Sequence, residues 1–275
     1  MSNLFDFKLV FTQLPDLIRF LPITLELALL SMLLGLALGL VLAIVKIRQV
    51  KILKSVATFF ISAIRGTPIL VQLYIAYFGI PMFFKWLNQS YGTDFHVAKI
   101  DGFIYAVVAL GINQSAYNAE FIRAAILSVG EGQIEAASAL GMNYFQTLFR
   151  IIVPEAITVA LPSLGNSLIS VIKGTSLAFT CAVVEMTAQG KIIGGRTYRY
   201  FEVYVSLAII YWVITVVIEK GLSFVEKKLA IPEQVANYIP LEPGTEKVKA
   251  KQISKYKVGK EVENDRDRRI IQEVS

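Results

Sequence analysis

Between residues 27 and 45 the chain carries no charged side chain, and at about 20 residues the run is long enough to cross a bilayer as one helix. No other feature limits the fold as much. Along this run Ser31, Gly35, Gly39 and Ala43 recur every fourth position, a stripe of small residues on one face where a second helix can approach closely. Four further apolar stretches follow. Residues 67–84 are interrupted by Gln72, and 103–119 carry Asn113, Gln114 and Tyr117. A stretch within 155–184 contains Pro162, Gly165, Lys173 and Gly174, and the last, 203–218, is bounded by Glu202 and Glu219. In an open chain only a helix satisfies its own backbone inside lipid, so the sequence predicts an all-α, five-helix polytopic membrane protein.

The composition agrees. Of 275 residues 55% are hydrophobic and 17% charged, where soluble domains carry about 25% charged. The net charge of +6 would suit a nucleic-acid ligand, but many basic residues flank the apolar runs, where the positive-inside rule explains them. Membrane lipid is the expected partner, and no nucleic acid. Cys181 and His96 are single, which leaves no internal disulfide and too few ligands for a zinc site. Neither a metal nor a cofactor bound by this chain is expected. No cleavable signal peptide is expected either, because the first apolar run is too long and lacks a basic segment immediately before it.

Three parts are delineated: an amphipathic interfacial segment at 1–20, a transmembrane body at 21–222, and a charged, mostly disordered tail at 223–275. Lys46, Arg48, Lys51 and Lys54, with no acid among them, place the first connection in the cytoplasm. Alternation then puts the amino terminus outside and both the 120–154 loop and the carboxyl terminus inside. Lys191, Arg196 and Arg199 fall outside against the rule and are outvoted by two other basic segments.

The 120–154 loop is too long for a simple connector. It reads Glu131-Gly132-Gln133-Ile134-Glu135-Ala136-Ala137-Ser138-Ala139-Leu140-Gly141-Met142 and leads to Ile151-Ile152-Val153-Pro154. Ile134, Ala137, Gly141, Phe145 and Leu148 repeat at helical spacing, predicting an amphipathic helix kinked at Gly141. Glu135, Ala136, Ala137, Gly141, Ile151 and Pro154 closely resemble the EAA loop of binding-protein-dependent ABC importers, with Val153 where Leu is usual. Arg65-Gly66-Thr67-Pro68, Ala116-Tyr117-Asn118-Ala119-Glu120 and Lys173-Gly174-Thr175-Ser176-Leu177 with Glu185 are similar to the polar amino-acid permeases of the histidine/glutamine/arginine group. Gly130-Glu131 departs from the Pro-Lys pair of many relatives. The stretch 185–212 is most similar to the cystine-importing branch.

The resemblance implies the type I permease fold of such importers, with a cytoplasmic coupling helix docked on an ABC ATPase subunit. It also implies an extracytoplasmic solute-binding protein and a second permease subunit, a homodimer or a related chain. ATP and Mg would sit on the partner ATPase, since this chain has no Gly-x-x-x-x-Gly-Lys-Ser/Thr loop. The chain is thus expected to be a transport component of a bacterial cell membrane, with no catalytic residue of its own.

Polar groups at membrane depth need a partner or a wet cavity. Gln72, Asn113, Gln114, Asn166, Lys173, Thr175 and Ser176 are the candidates for a substrate pathway. Two readings stand for the amides, contact with substrate or glue between helices. A helix broken at Gly174 would free backbone groups for a substrate carboxylate, beside Lys173. Arg65 and Glu120 are expected at cytoplasmic helix ends as an ion pair or interface anchors, and Glu185 at the outer mouth where a binding protein would dock. Two rivals compete: a secondary transporter driven by an ion gradient, which would want acids at the centres of the spans, and an intramembrane hydrolase, which would want motifs that the sequence lacks.

Overall fold

The computed structural model describes residues 5–95 and 100–229. His96 and the tail from residue 230 onward lie outside the described residues. Among the described residues every regular element is helical. Two short helices, α1 (Phe7–Thr12) and α2 (Leu14–Ile18), lead into the long α3 (Leu21–Ile47). Next come α4 (Lys51–Arg65), α5 (Ile69–Tyr74) and, through a π turn at Ile75–Gly79, α6 (Ile80–Tyr91). The central α7 (Gly102–Leu127) is followed by α8 (Glu131–Ala139) and α9 (Tyr144–Thr147). A second π turn, Leu148–Ile152, opens α10 (Val153–Gly174), which tightens into a 3-10 segment, Thr175–Cys181. The last two helices are α11 (Met186–Thr197) and α12 (Tyr200–Leu229).

Four segments are long and apolar enough to cross a membrane: Leu21–Ile47, Ile69–Tyr91, Tyr144–Cys181 and Tyr200–Leu229. The third expected span lies in α7, whose 26 residues reach about 39 Å but are too polar to meet the same measure. The reason is its place. Helices α3, α4, α5 and α10 all pack on α7, and Ala106, Ser115, Ala116, Asn118 and Ala119 are fully buried. A helix screened from lipid by protein has no need of an apolar surface.

The small-residue stripe is what lets α7 come so close. Ser31, Gly35, Gly39 and Ala43 are all buried along α3. A Cβ on Gly35 would lie 2.8 Å from the Cβ of Gln114, and one on Gly39 would lie 2.9 Å from the Cβ of Asn118 and 3.1 Å from the backbone nitrogen of Ala119. Polar side chains of α7 thus rest directly on bare backbone.

Each π turn lies just before a proline near the start of the next helix, Pro81 and Pro154. Proline has no N–H to give the carbonyl four residues back, and its ring crowds that carbonyl; a widened turn accommodates both. Pro162, within α10, is tolerated without a break.

Several expectations change. The connection after α3 is short, because Lys46 still belongs to α3 and Lys51 and Lys54 already open α4, which folds back along α3 and α7 with Ala57 and Ile61 buried. Arg65 consequently ends α4, about 20 Å along the helix from its basic start, rather than standing beside that start. The 130–149 loop breaks rather than kinks: Gly141 has φ of +76°, a left-handed conformation open chiefly to glycine. A reciprocal cap between Asn143 and Gln146 starts α9 anew. The last helix continues past residue 222 as far as Leu229, the last described residue.

Residues 5–20 form an amphipathic segment with Phe7 and Phe11 exposed, pinned to α12. Val10 and Leu17 are buried, the Ser206 hydroxyl donates to the Val10 carbonyl at 2.8 Å, and the Asp6 N–H donates to Glu202 Oε1 at 3.2 Å. Arg199 pairs with the same carboxylate at 3.1 Å, so one of the basic residues outside the rule is neutralised locally.

Glu185 is not at a solvated mouth. It is fully buried as the N-cap of α11, accepting from the N–H groups of Thr187 at 2.9 Å and Ala188 at 2.8 Å and from the Tyr211 hydroxyl at 3.2 Å. Burial pushes its carboxyl above the usual range, against the pull of these donors. It fastens α11 to α12.

Replacing Gly39 with Val should separate α3 from α7 at a cost of about 1–3 kcal/mol, read as a lower thermal midpoint of the purified protein in detergent. A midpoint equal to wild type would remove the seam from its central role.

Candidate functional site

The amide-bearing face of α7 and the polar face of α10, with Thr67, Pro68 and Ile69, border a half-open cavity of about 560 Å³. Its polar wall is formed by Thr67, Asn113, Gln114, Asn166 and Ser170, with Tyr117 at one side. Three of the pathway candidates, Asn113, Gln114 and Asn166, are therefore brought together from two helices.

The α10 contribution is periodic. Ser163, Asn166, Ser170 and Lys173 follow each other at three and four residues and so share one helix face. Asn166, Ser170 and Lys173 are exposed on the chain, inside a segment apolar enough to span the membrane. Exposed amide, hydroxyl and ammonium groups at such depth require water or a polar ligand. Lys173 extends the stripe one turn beyond the cavity wall.

Behind this wall lies a buried polar network. Gln114 donates to Ser167 Oγ, and that hydroxyl donates to Asn118 Oδ1 at 2.6 Å. Asn118 also reaches Met32 Sδ at 3.8 Å. These bonds tie α3, α7 and α10 together, which makes Gln114 glue as well as wall.

Gln72 lies just behind the site. The chain breaks at Gly66-Thr67-Pro68, and Pro68 has no N–H for the Ile64 carbonyl. Gln72 Nε2 takes that place at 2.8 Å and also donates to Thr67 Oγ1 at 2.8 Å, while its Oε1 accepts from Asn113 Nδ2 at 3.0 Å. One amide thus spans the broken helix and orients a cavity residue.

The remaining candidates behave differently. Thr175 is fully buried and donates to the Ile172 carbonyl at 2.7 Å, and Ser176 donates to the Lys173 carbonyl at 2.7 Å. The regular helix does end at Gly174, but a helix carboxyl end frees carbonyls and not N–H groups. It cannot supply the donors expected for a carboxylate, and the two hydroxyls occupy part of what it frees. Lys173 itself remains.

Arg65 and Glu120 do not pair with each other. Glu120 is held by Lys46 and by Arg123, the latter at 2.9 Å, and the Arg65 guanidinium lies 5.1 Å from the centroid of the Tyr117 ring. Thr67, Tyr117, Ser163, Ser167 and Ser170 were not among the expected residues; the three- and four-residue spacing from Ser163 to Lys173 was the signal for two of them.

In the EAA-like loop Glu135 and Ala136 are exposed on α8, Ala137 is buried, and Pro154 is the second residue of α10. Ile134, Leu140, Tyr144, Phe145 and Phe149 expose large apolar side chains around the Gly141 turn, Leu140 to 82%.

Residues 35–231 match the family model described as the binding-protein-dependent transport system inner membrane component. The chain is 38% identical to the probable amino-acid permease protein YxeN of Bacillus subtilis, over 84% of this chain and 98% of that one. It is also 38% identical to the L-cystine transport system permease protein TcyL of the same organism, over 83% and 93%, and 37% identical to the glutamine transport system permease protein GlnP of Escherichia coli, over 82% and 99%. Among solved structures, an amino acid ABC transporter with histidines is similar at a TM-score of 0.69 and 39% identity, covering 82% of this chain and 99% of that one. The MetNI methionine ABC transporter, at a TM-score of 0.61 and 18% identity over 78% and 96%, shares the fold. The chain belongs to the binding-protein-dependent transport system inner membrane components, the membrane-spanning permeases of ABC importers.

Proposed function

We propose that this chain is the permease through which polar amino acids, delivered by an extracytoplasmic binding protein, enter the cell at the expense of ATP hydrolysed on a separate ABC ATPase subunit. The observation that carries the reading is the polar stripe of α10 facing Asn113 and Gln114 across a cavity within the membrane body. A zwitterion needs donors for its carboxylate and acceptors for its ammonium. Lys173 and the amide nitrogens of Asn113 and Asn166 supply the first, and the amide oxygens of the same two residues supply the second. The named relatives, permeases for amino acids, cystine and glutamine, support this class of substrate. Cystine is the particular substrate suggested by residues 185–212.

Helices α8 and α9 would form the coupling element, on the cytoplasmic side together with the carboxyl terminus, the amino terminus lying outside. Support comes from the exposed apolar side chains around Gly141, a surface of the sort that marks a protein contact. Glu135 lies on its exposed face. Closing of the ATPase dimer would draw two such elements together, one from each of two permease subunits, and turn the cavity outward; hydrolysis would reset it. ATP and Mg belong to the ATPase.

An ion-gradient-driven carrier is less well supported, because the family's transport depends on a binding protein and the cavity wall carries no carboxylate.

Glu135→Lys should leave the chain inserted but lower ATP-driven uptake by about tenfold or more, a change in coupling of at least about 1.4 kcal/mol. Normal uptake by that variant would count against the docking role. Lys173→Ala should weaken the stimulation of ATPase activity by amino-acid-loaded binding protein; a full response would return Lys173 to a structural role.

A further inference from the structure

A second polar cavity adjoins the first. Its volume is about 460 Å³, and it is bordered by Lys46, Thr58, Ser62, Arg65 and Tyr117. Tyr117 belongs to both cavities, so the two meet at one aromatic side chain. Thr58, Ser62 and Arg65 follow each other at four and three residues, which puts them on one face of α4. The opposite face of that helix exposes Ile52, Val56 and Phe59.

The charges are not equivalent. Lys46 is neutralised by Glu120, which Arg123 pairs as well. Arg65 has no carboxylate and no hydrogen-bond acceptor among the described residues. Its guanidinium lies 5.1 Å from the centroid of the Tyr117 ring, a cation–π contact that engages no N–H group in a hydrogen bond. A fixed fork of unused donors, with two hydroxyls beside it, suits a planar anion with two oxygens.

We propose that this second cavity is an inner station for the substrate's carboxylate, held by Arg65 as the amino acid passes Tyr117 from the first cavity. The inference rests on the amino-acid permease reading above and adds a residue and a step to it. The carboxylate exchanges Lys173 and the amides of the first cavity for the guanidinium of the second, so it is never left without donors at membrane depth. The open side of the second cavity and the neighbouring Glu120 keep the hold weak, as a site that must release its ligand requires.

The test uses the assembled transporter, permease with its ATPase and binding protein, in lipid vesicles with ATP inside the nucleotide-accessible compartment. Uptake of radiolabelled L-cystine and L-glutamine is followed. Ser62→Asp puts a carboxylate within reach of Arg65, one turn away on α4, where it competes with that of the substrate; Ser62→Asn adds nearly the same shape without charge. Turnover of the Asp variant is expected about tenfold below that of the Asn variant, with similar half-saturating concentrations of loaded binding protein. Arg65→Gln should likewise fall well below Arg65→Lys, a second comparison that holds if either Ser62 variant fails to assemble. Equal turnovers within both pairs would overturn the inner station while leaving the permease reading intact. Differences that arise only when the vesicles contain phosphatidylglycerol, and vanish in phosphatidylcholine alone, would also overturn it, by assigning the cavity to a lipid headgroup. Absence of ATP-driven uptake of any amino acid by the wild type would overturn the permease reading itself.

Discussion

The contact between α3 and α7 sets the terms for the rest of the molecule. Because Gly35 and Gly39 have no side chains, Gln114 and Asn118 of α7 can lie against the backbone of α3. Polar residues are thereby carried into the middle of a membrane protein with their hydrogen bonds satisfied by one another rather than by water. Once α7 is fixed in this way, Asn113, Tyr117 and Glu120 are presented in successive turns along one rigid rod. The first cavity, the contact of Arg65 with Tyr117 and the Lys46–Glu120 pair all take their positions from it.

The polar residues divide by whether they are paired. Those on the buried side of α7 and α10 bond to each other and hold helices. Those on the open side, Asn166, Ser170 and Lys173, are exposed on the chain. A bilayer punishes the second kind unless something polar occupies the space beside them, and the family to which the chain belongs moves solutes through its membrane-spanning body. Sites for holding and sites for passage are thus adjacent but distinct, and Gln114 is the residue where they meet.

Patterns that repeat along one helix were legible from the residues alone. The stripe on α3, the small φ-permissive residue at 141 and the apolar spans are all of that kind, since period and composition report them directly. Arrangements that join distant segments were not. Gln72 matters because Pro68 leaves the Ile64 carbonyl without a donor, a relation visible only once the break at 66–68 has a shape. Glu185 follows the fourth apolar stretch and so reads as a residue of the outer mouth, whereas its partners include the hydroxyl of Tyr211, 26 positions away. Helix α4 was overlooked because the basic residues at its start dominate the pattern, although Ala57, Ile61 and Ile64 already mark an inward face. Thr175 and Ser176 stand beside Lys173 in the sequence, which does not show that their hydroxyls donate to carbonyls at the end of α10.

The two π turns have a consequence for how the faces of this protein align. A widened turn holds one residue more than an α turn, so every side chain beyond it is rotated by about 100° relative to an unbroken helix. In the segment from Tyr144 to Gly174 that offset falls between the apolar residues around Phe149 and the polar stripe that begins at Ser163. The two ends of one continuous rod therefore address different neighbours, and the angle between their faces is set by a single surplus residue ahead of Pro154. Deleting one residue from 148–152 would remove the surplus residue and the widened turn together and so keep the stripe's bearing on Asn113, whereas regularising the turn with all five residues kept would swing the stripe away by about 100°.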